Sequence, residues 1–340
     1  MTNPLVSVCV PTYNGSRFLR DTLQSISRQT FTDFELLIVD DGSEDDTLAL
    51  AQACAASDPR TRVLRNDVRA GSGARNANRC IAHARGEWIK FLFQDDLMAP
   101  TCLERMLEAG RHGRFVICWH DYVFEPEIAP NVRQQYETLP SLETTLPGRH
   151  ASPDAFCDAV LRLWHINFIG PTSTSLIHRD CFRQYGSFNS EITMFPDLEY
   201  WMRVGSHEGL AIVPERLVSF RVHGDSISAA LRAEDANESK HTLQLLLLLL
   251  HLARAPEYAR LRARTIGQQP PVDPDALLIH AALQARWHAI EKRYRTRDDS
   301  MLQSWKAFCD EHPELLDTLR AADAKTPLWS RLKRFVKERV

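Results

Sequence analysis

Short β-branched apolar runs alternate with helix-patterned stretches in the first half of this chain, and each run ends in a polar loop. No other feature limits the possible folds as much. Leu5–Val10 runs into Pro11-Thr12-Tyr13-Asn14-Gly15, Phe34–Val39 stops at Asp40-Asp41-Gly42-Ser43, and Glu87–Phe93 ends at Gln94-Asp95-Asp96. Between them, Ser16 can cap a helix carrying Phe18, Leu19, Leu23 and Ile26, and further helices begin near Asp45 or Asp46, at Gly71 and at Pro100. Arg62–Leu64 and Phe115–Trp119 complete five strands. Such alternation predicts an α/β fold with a mainly parallel sheet covered on both faces. Sheets of that kind bind ligands beyond the carboxyl ends of their strands. The three polar loops are therefore expected to meet in one crevice.

The pattern changes after residue 120. Residues 125–150, rich in Pro, Glu, Gln and Thr, read as a long surface loop or lid. Asp154–Leu163 is expected to be a helix and Thr172–His178 a strand. A second acidic cluster lies in Met194–Arg203, and the strand Leu217–Val222 ends at His223. From residue 229 onward strand signals stop, and 229–340 reads as a helical extension broken at Gln268–Pro271. The longest apolar run, Leu245–Leu250, is far shorter than the roughly 20 residues a spanning helix needs. With 41 Lys+Arg against 44 Asp+Glu, a formal charge of -3, no basic field draws nucleic acid. Eight cysteines without a C-x-x-C pair, behind an N-terminus unlike a signal peptide, suggest a reducing, cytoplasmic setting.

Each polar residue has a structural reading and a chemical one. Asp95 and Asp96 could cap a helix. Adjacent carboxylates at a strand end also suit Mg²⁺ or Mn²⁺, which prefer oxygen ligands and take up phosphates. Asp40 and Asp41 satisfy a turn, or accept the N–H of a nucleobase. Arg75, early in a helix after a glycine-rich loop, has the planar donor fork that phosphate favours. Asp197 caps a helix bearing Leu198, Trp201 and Met202, or serves as a base once burial lifts its pKa. His223 is a structural histidine or a third metal ligand.

The ordered set Val8–Asn14, Phe31–Asp45, Ala74–Asn76, Gly86–Ile89, Phe91–Pro100, Pro196–Arg203 and Arg221–Ser228 resembles glycosyltransferase family 2 over roughly residues 4–228. The resemblance implies the GT-A fold, a Rossmann-like sheet, over 1–228. Residues 1–120 would form the nucleotide-sugar half and 151–228 the acceptor and base half. It implies that Pro11, Tyr13 and Asn14 line the nucleotide pocket, that Asp40 and Asp41 hold base and ribose, and that Arg75 lies near the diphosphate. Asp95 would touch the donor, and Asp95, Asp96 and His223 would hold Mn²⁺ or Mg²⁺. Asp197 would be the catalytic base of an inverting transfer.

A UDP-sugar is the favoured donor and a glycan or lipid-linked glycan the acceptor, as in cell-surface polysaccharide synthesis. The region Asn167–Ser175 would shape the sugar pocket. Two positions depart from the family: Phe93 stands where the metal motif commonly begins with Asp, and Pro196 where the base motif commonly has Glu. These departures leave a catalytically silent nucleotide-sugar-binding scaffold as the alternative. The basic amphipathic segment 326–340 suits an anionic membrane surface, or packs on the protein or on a second subunit of a homodimer.

Overall fold

The computed structural model describes residues 3–164, 166–225, 236–265 and 273–325. Four strands, β1 (Val6–Thr12), β2 (Phe34–Asp40), β3 (Thr61–Arg65) and β4 (Trp88–Phe91), pair in parallel in the order β3-β2-β1-β4. Helices α1 (Ser16–Ser27), α2 (Thr47–Ser57) and α3 (Gly73–His83) join them. The sheet then becomes mixed. Strand β8 (Ser175–His178) lies antiparallel between β4 and β6 (Phe115–Phe124). Strand β9 (Leu210–Val222) runs parallel to β6, while β5 (Leu97–Met98) and β7 (His150–Ala151) pair antiparallel with β9.

Both faces are covered, because every residue of β1, β2 and β4 is buried. On one face Val6, Val8, Val10, Leu36 and Ile38 meet Leu19, Leu23 and Ile26 of α1 and Leu103 and Met106 of α4 (Cys102–Gly110). On the other, α3 packs on β1 and β2. There the Phe115 ring also stacks at 5.1 Å on Trp201 of α9 (Pro196–Glu208), the helix that follows α7 (Pro153–Arg162) and α8 (Arg179–Tyr185).

Several boundaries differ from the sequence reading for local reasons. Ser16 begins α1, and Gly15 takes the cap position. Residues 125–150 are not one loop: they hold helices α5 (Pro130–Thr138) and α6 (Leu142–Thr145) before β7. Helix α5 buries no residue, so its sequence shows no apolar stripe. The expected strand Thr172–His178 opens with a 3-10 turn over Thr172–Thr174 before β8 begins. Strand β4 stops at Phe91, and Phe93 and Asp96 close a turn through Asp96 N–H to Phe93 O at 3.1 Å.

The chain separates into two compact units, Met1–Ala230 with Glu257–Arg264, and Leu231–Pro256 with Thr265–Val340. In the second, the helix Ala236–Arg254 packs on Pro274–Thr296, which packs on Ser300–Glu311. Pro313–Lys325 lies against the latter two. Among the described residues no helix is long and apolar enough to cross a membrane. The basic segment 326–340 lies outside the described residues.

Candidate active site

The loops after β1, β2 and β4 are bonded to one another. Tyr13 N–H donates to Gln94 Oε1 at 2.8 Å, and Gln94 Nε2 returns a bond to Tyr13 O at 3.0 Å. Asn14, at φ 46°, donates its N–H to Ser43 Oγ at 3.0 Å and accepts Glu44 N–H on Oδ1 at 2.9 Å. Gly15 N–H reaches Thr47 Oγ1 at 2.8 Å. Pro11 pairs with Val39 at the carboxyl end of β1. Tyr13 presents its ring to the Arg69 guanidinium, which lies 3.9 Å above it.

The two aspartates after β2 divide their work. Asp40, fully buried, accepts the N–H groups of Gly42 at 3.1 Å and Ser43 at 3.0 Å and so builds the turn. Gly42 takes φ +77° there, where a side chain is strained. Asp41 faces the segment after β3 and accepts Asn66 Nδ2 at 2.7 Å, Ala70 N–H at 2.5 Å and Gly71 N–H at 3.0 Å. Asn76, in the first turns of α3, donates Nδ2 to Val39 O at 3.0 Å and to Thr12 O at 3.3 Å. Arg75 is exposed beside it, in a helix capped by Ser72. Its side chain has no bonding partner among the described residues.

Asp95 and His223 come together although 128 positions separate them: Asp95 Oδ2 lies 3.1 Å from His223 Nε2. The Phe18 ring sits 4.6 Å from the imidazole and packs it in place. Asp96 turns the other way, with 1% of its surface exposed. It accepts Arg221 N–H at 3.0 Å on one oxygen and the Ser173 hydroxyl on the other. Burial first, and then the Asp95 charge, push the Asp96 carboxyl well above the usual carboxylate range. The expected trio of metal ligands is thus brought together only as the pair Asp95 and His223. No group of three acidic, His or Cys side chains forms a metal centre among the described residues. One carboxylate and one imidazole still fit a divalent ion whose other ligands come from a diphosphate and water.

Asp197 lies in the first turn of α9, where the helix dipole favours a carboxylate. Its Oδ1 accepts Leu198 N–H at 2.8 Å and its Oδ2 accepts Asn167 Nδ2 at 2.9 Å. Burial raises its pKa to about 6, against the pull of those bonds. The segment 167–174 that supplies Asn167 also supplies Ser173, which bonds Asp96 and accepts Phe93 N–H at 3.0 Å. One short loop therefore touches both the Asp197 end and the Asp95-Asp96 turn. Asn66 escapes a motif-based reading, and Gln94, Asn167 and Ser173 fall within stretches the sequence singles out without a role of their own. Each is a single polar loop residue, and loops have no periodicity.

Residues 7–185, more than half of the chain, match the family described as Glycosyl transferase family 2. An uncharacterized protein, MT1568 of Mycobacterium tuberculosis, is 31% identical over 65% of this chain and 67% of its own length. An uncharacterized glycosyltransferase of Haemophilus influenzae is 26% identical over 70% of this chain and 71% of its own. Among solved structures, Staphylococcus aureus TarS 1-349 in complex with UDP superposes with a TM-score of 0.55 at 14% identity, covering 91% of both chains. The mannosyltransferase PcManGT of Pyrobaculum calidifontis, in complex with GDP-Man and Mn²⁺, gives 0.54 at 19% identity over 91% of this chain and 87% of its own. At those identities the structures speak for the fold, which is GT-A. The sequence match carries the rest: this chain belongs to glycosyl transferase family 2.

Proposed function

We propose that the protein is an inverting glycosyltransferase that moves a sugar from a nucleotide diphosphate to an acceptor hydroxyl. The observation that carries this reading is Asp197, a carboxylate with a pKa raised to about 6 on a loop-braced helix end. The acceptor O–H proton passes to Asp197, the acceptor oxygen attacks the anomeric carbon, and the bond from that carbon to the diphosphate oxygen breaks on the opposite face. Residues 1–120 would seat the nucleotide, with Tyr13 and Asp41 nearest the base, while 151–228 present Asp197. Arg75, exposed at the start of α3, would reach the diphosphate. Asp95 and His223 would hold Mn²⁺ or Mg²⁺. Such an ion, when bound, neutralises charge on the leaving diphosphate.

TarS has been solved with UDP and with UDP-GlcNAc, which supports a UDP-sugar as the first donor to test. A glycan or lipid-linked glycan of the cell surface is the acceptor class this reading favours. In a first screen the protein meets UDP-, GDP- and dTDP-sugars with Mn²⁺ or Mg²⁺, then EDTA. Metal-dependent binding or slow hydrolysis of one donor is expected. Folded protein that binds none of them with metal present is instead a silent scaffold. With the donor in hand, Asp197→Asn should lose about 10²–10⁴-fold in kcat and keep donor affinity. Wild-type kcat should fall as pH drops through about 6, because protonated Asp197 accepts no proton.

A further inference from the structure

Asn167 is the side chain on which the geometry around Asp197 turns. Its amide has two N–H donors and one acceptor oxygen, and the structure uses all three functions. Nδ2 donates to Asp197 Oδ2 at 2.9 Å and to Gly170 O at 3.0 Å, while Oδ1 accepts Gly170 N–H at 3.2 Å. The same Gly170 carbonyl accepts the indole N–H of Trp201 at 3.1 Å. Trp201 is fully buried and lies one turn beyond Asp197 on α9. Gly170 stands at φ +124°, and a Cβ there would lie 3.1 Å from Thr174 Oγ1. The loop is therefore closed by glycine and tied to the very helix that carries Asp197. An amide gripped on both sides by Gly170 can point its remaining N–H in one direction only.

From this geometry we infer that Asn167 is a positioning residue for the acceptor step, fixing the Asp197 carboxylate so that a free lone pair faces the acceptor hydroxyl. The inference rests on reading Asp197 as the base. Asn167 Nδ2 on Oδ2, Leu198 N–H on Oδ1 and the backbone N–H of Asp197 itself leave the carboxylate one of its roughly four lone pairs for the incoming proton.

The amide has a second effect. A hydrogen bond to a carboxylate favours its charged form, opposing the desolvation that lifts Asp197 to about 6. No charged side chain pairs with Asp197 among the described residues. On its own helix, Glu199 turns to Arg203 and Tyr258. On β6, His120 stands across Gly170 and is kept neutral by burial, its pKa lowered to about 4. The neutral amide is thus the main side-chain influence that holds Asp197 ionised.

The test is a ¹³C-carboxyl titration of aspartate-labelled full-length protein, with the Asp197 resonance identified by its loss in Asp197→Asn. In Asn167→Ala the midpoint should rise by about one pH unit, the size expected for losing one bond to a charged group. Where the donor is known, the acidic limb of kcat should move up by the same amount while donor affinity holds. If Asn167→Ala lacks a cooperative unfolding transition, Asn167→Ser, whose shorter side chain cannot span both partners, should give the same rise. A midpoint that stays put in a folded variant overturns the proposal and leaves the base reading standing. Normal turnover by Asp197→Asn removes both.

Discussion

At the scale of single residues, the site depends on how closely backbones approach. A Cβ on Gly15 would lie 2.2 Å from Gln94 Cδ and Oε1. Gln94 cannot simply swing aside, because it closes a two-way bond with the Tyr13 backbone. Gly15→Ala should therefore cost about 1–3 kcal/mol, the range for leaving such groups unpaired, read from urea unfolding. On a Gln94→Ala background the same substitution should cost much less. Equal costs on both backgrounds would sink this account. The glycine was legible in the sequence only as loop chemistry. Asp95 and His223 were legible as candidates because acids and histidines at strand ends are few, and Asp197 because it opens a helix carrying Leu198, Trp201 and Met202. What Asp96 does was not, since neighbouring aspartates look alike until the fold turns one inward to Ser173 and Arg221.

At the scale of elements, a side chain reinforces the strand pairing at the carboxyl ends of β1 and β2. Asn76 sends both amide hydrogens into the Thr12 and Val39 carbonyls and accepts Asn66 Nδ2 at 3.1 Å on its oxygen. It is 4% exposed, so water cannot replace it. Asn76→Ala should lower stability by about 1–3 kcal/mol in chemical denaturation. Asn76→Asp should be worse, because an acceptor would then face two carbonyl acceptors. If Asp is tolerated better than Ala, the assigned bonds are wrong. Strands β1 to β4, β6 and β8 were readable from their apolar runs, while the two-residue β5 and β7 are too short to carry one. The first half of β9 was not, because Pro214, Glu215 and Arg216 interrupt its apolar pattern where β6 is also irregular against it. Helix α5 left no periodic trace because none of its faces is buried.

At the scale of the whole molecule, the catalytic unit does not end where the strand signals stop. Glu257–Arg264 belongs to it. Tyr258, 1% exposed, donates its hydroxyl to Glu199 on the helix that carries Asp197. Glu199 in turn pairs with Arg203 at 2.8 Å, and Arg264 holds Asp158 with two bonds of 2.8 Å. A chain cut at residue 230 loses that brace and the burial of Tyr258 and Leu261, at about 1.5–3 kcal/mol for each side chain. It should melt at a clearly lower temperature than the full chain. An unchanged melting temperature would show the brace to be idle. A composition shift at 229 marks where strands cease, and nothing in the sequence signals that a later helix turns back.

The strand order also sets when the protein can work. Strands β1 to β4 find their partners within the first 91 residues, so that half of the sheet can form early from local closures. Leu97 must wait for Ser219, and Asp95 for His223. Such distant pairings are slow, and a growing chain leaves them until its last strand is available. A nascent chain released before β9 would hold a finished nucleotide-side scaffold with an open sheet edge. The Asp95–His223 pair would then assemble late, only once β9 has joined the sheet.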